Sequence, residues 1–289
     1  MEVLFMAIVK LAPAALCKEA SPDTMTPSDV HVLLSCRPGT ESEVITGKEA
    51  GMSLRDYISQ KGWGCLGSDA RKFDRFPISI RILSNNNPNM IQVNPDTDKD
   101  TFWYILNAAS DSVIGFGMAE EISMDQLSAG IQNGTLGEYL RPVRVSEGDF
   151  FELPAGTVYA LDEDIRILEI QKEGKDITWS ASDVLRSITL TPTDIRHPRG
   201  EWLEDGQARS FHLDKNSVFD VDLFELNGRI DLDATDRSFC ALVFTEGSAV
   251  IERRDEILHA QPESCFFVEA DTEPYHITGN CRFLVVSLV

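Results

Sequence analysis

The chain has 289 residues, 43% of them hydrophobic and 25% charged, with a formal net charge of −21. That length is enough for one large or two medium domains, each with a core of its own. The acidity excludes nucleic acid and anionic membrane surfaces as natural partners, and no apolar run reaches the roughly 18 residues that a membrane span needs.

The opening MEVLFMAIVKLAPAALC has the apolar look of a secretion signal. Its start carries Glu2 in place of a basic cluster, and Lys10 interrupts the apolar run, so an N-terminal strand is the expectation. Cysteines at 17, 36, 65, 240, 265 and 281 form no C-x-x-C pair. Scattered in this way they read as reduced, mostly buried thiols of a cytoplasmic protein, not as a structural zinc site. FWYIL (102–106), VIGF (113–116), DFFEL (149–153) and IRILEI (165–170) are β-branched and aromatic and predict short strands. Gly148, Pro154 and Gly156 punctuate them. Within this series, SMDQLSAGIQNG (123–134) predicts a helix. Ser123 and Gln126 stand in capping-box register, Leu127 and Ile131 repeat at helical spacing, and Gly134 ends the run. The polar stretch 176–217, broken by Pro192, Pro198 and Gly200, predicts a connecting loop.

One segment recurs. EGDFFELPAGTVYALDEDIRIL (147–168) aligns without a gap on ESCFFVEADTEPYHITGNCRFL (263–284). Glu147 falls on Glu263, Phe150 and Phe151 on Phe266 and Phe267, Tyr159 on Tyr275, Arg166 on Arg282 and Leu168 on Leu284. Two β modules of similar build follow, each a jelly-roll or barrel of short strands. The boundaries expected are a first module over 1–175 with a helical insertion near 123–140, a connection over 176–217, and a second module over 218–289.

Several other chemistries lack support. DTDKD (96–100) has the spacing of acidic calcium ligands, but Thr101 and Asn107 stand where a calcium loop needs Gly and Glu. His31, His197, His212, His259 and His276 show no pair at ligand spacing. No phosphate-cradling glycine motif occurs, so nucleotide binding is not expected.

Taken in order, SCRPGTESEV (35–44), FPISIRIL (76–83), QVNPD (92–96), DKDTFWYIL (98–106), GDFFELPAGTVYAL (148–161) and LEIQ (168–171) resemble the class I mannose-6-phosphate isomerases in their short bacterial form. The resemblance runs from about residue 28 to the C-terminus. It implies an all-β fold of two cupin-like jelly-roll modules with a small helical insertion. It also implies a zinc or similar ion in the first module, held by one Gln, two His and one Glu. Carried onto this chain, those positions are Gln92, Asn94, Thr101 and Tyr159. Three of the four ligand types are replaced, and the residues present supply only amides and hydroxyls, a poor set for zinc. An arginine that the family places near the reacting atoms falls on Ser180, and the early Trp-Gly-Gly stretch has no counterpart before residue 62.

No cofactor is therefore expected. Arg81 and Lys99 keep the positive charge of the family pattern. With Gln92, Asn94, Thr101 and Tyr159 they are the candidate lining of a pocket for a small sugar or sugar phosphate. The expected function is a metal-free, catalytically impaired relative of the isomerase. An active aldose–ketose isomerase with an altered metal site and a non-catalytic scaffold are the alternatives. Monomer and homo-oligomer both stay open.

Overall fold

A computed structural model describes residues 7–14, 29–84, 91–95, 101–162, 164–174, 180–195 and 200–289. The architecture is the expected all-β, cupin-like one. The chain divides into two compact units, one of Met1–Ala15, Val32–Ser79 and Pro198–Val289, the other of Leu16–His31 and Ile80–His197.

The first of these units carries a nine-stranded sheet. Its order is Leu203–Asp205, Ala208–Lys215, Phe219–Leu232, Tyr275–Leu288, Cys240–Arg253, Cys265–Val268, Ile8–Ala12 and Glu43–Val44, with Glu256–Ala260 pairing to Cys240–Arg253. The N-terminal strand is the one expected, and it lies antiparallel to Cys265–Val268, Lys10 opposite Phe266. Its core is aromatic: Phe244 packs against Phe266 and Phe283, and Phe224 stacks on Phe283 with centroids 5.2 Å apart. Each buried Phe contributes about 1.5–3 kcal/mol of transfer free energy. A helix, Leu54–Lys61, starts at the Ser53 cap and buries Leu54, Tyr57 and Ile58.

The stretch 176–217 was expected to be a connecting loop, and its described part is more ordered than that. It holds the helix Ala181–Ser187 and the strands Leu203–Asp205 and Ala208–Lys215. Ala208 and Leu213 are buried while the residues between them face outward more. The two buried positions are five residues apart, and a register shift after His212 interrupts the period-2 pattern, so the strand is weakly marked in sequence.

The other unit is built on two sheets. One orders Asp29–Leu34, Ile78–Ser84, Arg166–Lys172, Thr101–Asn107 and Phe150–Glu152; the other orders Ile91–Val93, Val158–Leu161, Val113–Met118 and Leu140–Arg144. Trp103 and Ile105 of the first sheet share a core with Ile114, Phe116, Tyr159 and Leu161 of the second. The inserted helix is Met124–Asn133, with both halves of the capping box formed and Gly134 in the left-handed conformation. Leu127 is buried as the pattern requires, but Ile131 is 45% exposed. The buried stripe runs through Gly130 instead, where a Cβ atom would stand 3.1 Å from the Tyr139 ring. Among the described residues no helix is long and apolar enough to cross a membrane.

Candidate functional site

The four ligand-aligned positions lie in the unit of two sheets. Gln92 sits on Ile91–Val93 directly opposite Tyr159 of Val158–Leu161. Opposite residues share a face, and the Tyr159 hydroxyl donates to Gln92 Oε1 at 2.6 Å. Asn94 follows that strand, and its backbone carbonyl accepts from Gly156 N at 2.7 Å. Its side-chain Nδ2 donates to Thr101 Oγ1 at 3.3 Å. Thr101 opens the strand Thr101–Asn107 and is 4% exposed. The four positions are thus hydrogen-bonded two by two.

A buried carboxylate stands beside them. Trp103 is two residues beyond Thr101, on the same strand face, and is opposite Glu169. Its indole N–H donates to Glu169 Oε2 at 2.8 Å. Arg81 donates to Glu169 Oε1 through Nε at 2.6 Å and through Nη2 at 2.6 Å. The Trp103 ring meets Tyr159 edge-on, centroids 4.7 Å apart. Gln92, Tyr159, Trp103, Glu169 and Arg81 therefore form one continuous polar and aromatic centre.

Electrostatics follow from this burial. Burial pushes the Tyr159 phenol well above its ordinary range; the Glu169 carboxylate adds to this and Arg81 opposes it. Tyr159 is therefore a neutral hydroxyl at physiological pH. Burial works against the Arg81 charge, but Glu169 outweighs it and raises the guanidinium further. Arg81 stays charged, about a third exposed, and anchored.

Zinc does not fit the four aligned positions. It takes imidazole, thiolate or carboxylate. Here two neutral amides and two hydroxyls face one another, and the phenol is held in its protonated form. The Glu169 carboxylate beside this group is already bonded through both oxygens.

Other sequence candidates take ordinary places. Lys99 and the rest of the DTDKD stretch lie outside the described residues, as does His197. Ser180 caps the helix Ala181–Ser187, accepting from Asp183 N at 3.2 Å. His276 Nε2 lies 2.9 Å from Glu252. Among the described cysteines, Cys65, Cys265 and Cys281 are buried thiols. Glu169 and Trp103 were missed as site residues. The available signal was an acid in the middle of the apolar run IRILEI, where a strand buried on both faces has no solvent for a charge.

No family model matches the chain. The chain is 25% identical over 279 residues to "Putative mannose-6-phosphate isomerase YvyI" of Bacillus subtilis (strain 168), covering 87% of this chain and 86% of that protein. It is 30% identical over 154 residues to mannose-6-phosphate isomerase ManA of the same organism, covering 50% of this chain and 44% of ManA. Its similarity is to the mannose-6-phosphate isomerase family. The fold of the family is evident in the crystal structure of mannose 6-phosphate isomerase from Bacillus subtilis. That structure superposes with a TM-score of 0.79 at 20% identity, over 97% of this chain and 99% of the other.

Proposed function

We propose that this chain is a metal-free, catalytically impaired relative of the isomerases. On this reading it keeps a sugar or sugar-phosphate pocket and serves carbohydrate metabolism in the cytoplasm. The observation that carries the reading is the mutual pairing of the ligand-aligned side chains, Tyr159 with Gln92 and Asn94 with Thr101. None of them offers charge to a divalent ion. Aldose–ketose isomerisation needs an electrophile for the developing enediolate. Arg81, the described cation at this centre, is committed to Glu169. The aligned positions are nevertheless all polar. Neutral donors and acceptors suit hydroxyl groups, since each buried polar atom needs a partner. Gln92, Asn94 and Tyr159 are assigned to sugar hydroxyls, and Arg81 with Lys99 to a phosphate.

The test has three readings. Elemental analysis is expected to find no zinc whose retention depends on Gln92. A coupled isomerase assay with added divalent ions is expected to fall well below the usual range of about 1–1000 per second. A hexose or hexose phosphate at 100 times its dissociation constant is expected to stabilise the fold by about 2.7 kcal/mol. That shift should shrink in Tyr159→Phe and Lys99→Ala. Turnover within the usual range, or zinc lost on Gln92→Ala, overturns the reading.

A further inference from the structure

Outside this centre, the described residues hold one set of three metal-ligating side chains with all donor atoms within 4.8 Å of one another: His212, Asp220 and Asp222. The hairpin of Ala208–Lys215 and Phe219–Leu232 builds it. Asp220 and Asp222 flank the buried Val221, so both carboxylates leave the strand on one face. His212 stands opposite Asp222, and a register shift between His212 and Asp214 brings Lys215 opposite Asp220. Bulges re-aim side chains in this way. His212 Nδ1 lies 3.0 Å from Asp222 Oδ1 and 3.3 Å from Asp220 Oδ1.

Local hydrogen bonding leaves this set short of positive charge. Nδ1 carries one proton at most, and Asp222 is its hydrogen-bond partner. Lys215 Nζ meets the other oxygen of Asp220, Oδ2, at 3.0 Å. Asp220 Oδ1 is shut off from solvent and has no hydrogen-bond partner. An orphaned carboxylate oxygen facing a second carboxylate and an imidazole nitrogen is relieved by a cation.

The spacing suits one. An ion with bonds of about 2.0–2.1 Å holds tetrahedral ligands about 3.3 Å apart and octahedral neighbours about 2.9 Å apart. The separations of 3.0 and 3.3 Å fall within that interval. Imidazole nitrogen selects against calcium and magnesium, which prefer oxygen alone.

We propose that His212, Asp220 and Asp222 form a divalent transition-metal site of the zinc class. One nitrogen and two carboxylate oxygens hold the ion on the hairpin, and its remaining coordination positions face solvent. This site is independent of the sugar pocket.

Calorimetric titration of the untagged, chelator-treated full chain with zinc tests it, with cobalt absorption as a second readout. One equivalent is expected. His212→Ala and Asp220→Asn should each weaken zinc binding by about 100-fold or more, at least the effect known for residues that only orient ligands. Circular dichroism checks that both variants fold, and Asn preserves the shape of Asp if the alanine variant does not. Absence of saturable zinc binding overturns the proposal alone. Binding that His212→Ala and Asp220→Asn leave unchanged also overturns it. Zinc lost on Gln92→Ala but kept on His212→Ala overturns both this site and the metal-free reading of the pocket.

Discussion

The two copies of the internal repeat solve the same sequence pattern differently. In the C-terminal copy, Tyr275–Leu288 is one unbroken strand of 14 residues inside a single sheet. In the first copy the matching stretch is cut into Val158–Leu161 and Arg166–Lys172, which belong to different sheets. Asp164, with φ of 63°, turns the chain between them. The matched tyrosines differ accordingly. Tyr159 donates to an amide oxygen at 2.6 Å, whereas the Tyr275 hydroxyl has the Cys240 thiol at 4.0 Å. The same offset sets Glu169 against Val285, which packs on the aromatic core. Splitting a strand between two facing sheets creates an interior that side chains from both can line. The first copy fills that interior with a charge pair and hydroxyls; the unsplit copy fills its own with phenylalanine. A buried ion pair is weak evidence of stabilisation, and under the proposed function the pair of the first copy serves recognition.

The strongest way to break this contrast is to remove the carboxylate. Glu169→Ala leaves Arg81 and the Trp103 indole without their partner, and should cost about 3–5 kcal/mol in urea unfolding. Val285→Ala removes partly buried methyl groups and should cost less, about 1–2 kcal/mol. Equal losses would erase the distinction between the copies.

A second experiment separates stability from recognition. The double variant Arg81→Met, Glu169→Leu replaces the pair with apolar groups of similar size. It should cost less than Glu169→Ala, because only the buried Trp103 indole N–H then lacks a partner, a loss of about 1–3 kcal/mol. It should at the same time lose the sugar-induced thermal shift. A destabilised double variant that keeps the shift would assign the pair to structure.

The tyrosines give a finer comparison. Tyr159→Phe removes a hydrogen bond to half-buried Gln92 and should cost about 0.5–1.5 kcal/mol. Tyr275→Phe loses only a long contact to sulfur and should stay within about 0.5 kcal/mol of the parent.

The smallest effect is confined to alkaline solution. Burial raises the Tyr159 phenol above its unfolded value, so the unfolded chain releases this proton first. Its contribution is complete below the ordinary phenol range near pH 10 and is lost as pH rises beyond it. Tyr57 and Tyr275 are raised in the same direction, also chiefly by burial. Absorbance titration at 295 nm should show these phenols ionising together with unfolding, and Tyr159→Phe should flatten the alkaline limb slightly.

Local pattern made some of this legible and non-local pairing hid the rest. The capping box at Ser123 and Gln126 is a contact across three residues, and it forms as read. Gln92 and Tyr159 were found through a family pattern, and their bond spans 67 residues. Nothing near Arg81 announces Glu169, which is 88 residues away. His212 and Asp222 meet across a hairpin whose outer strand lay in a stretch read as loop. The register shift that sets their geometry has no sequence mark of its own. Likewise the splitting of the first copy hangs on one left-handed aspartate, a conformation that residue type tolerates without requiring.

The place of Ile8–Ala12 has a consequence for the order of events during synthesis. Its partner strand, Cys265–Val268, is made more than two hundred residues later. Residues of the two-sheet unit from Ile80 to His197 leave the ribosome well before that, and can close their own aromatic core. The early strand meanwhile waits with its Cys265–Val268 edge unpaired, a surface that invites pairing with other chains. Closing so long a loop slows the final sheet. The nascent chain is most exposed to aggregation over this interval, and a chaperone that shields Ile8–Ala12 would act there.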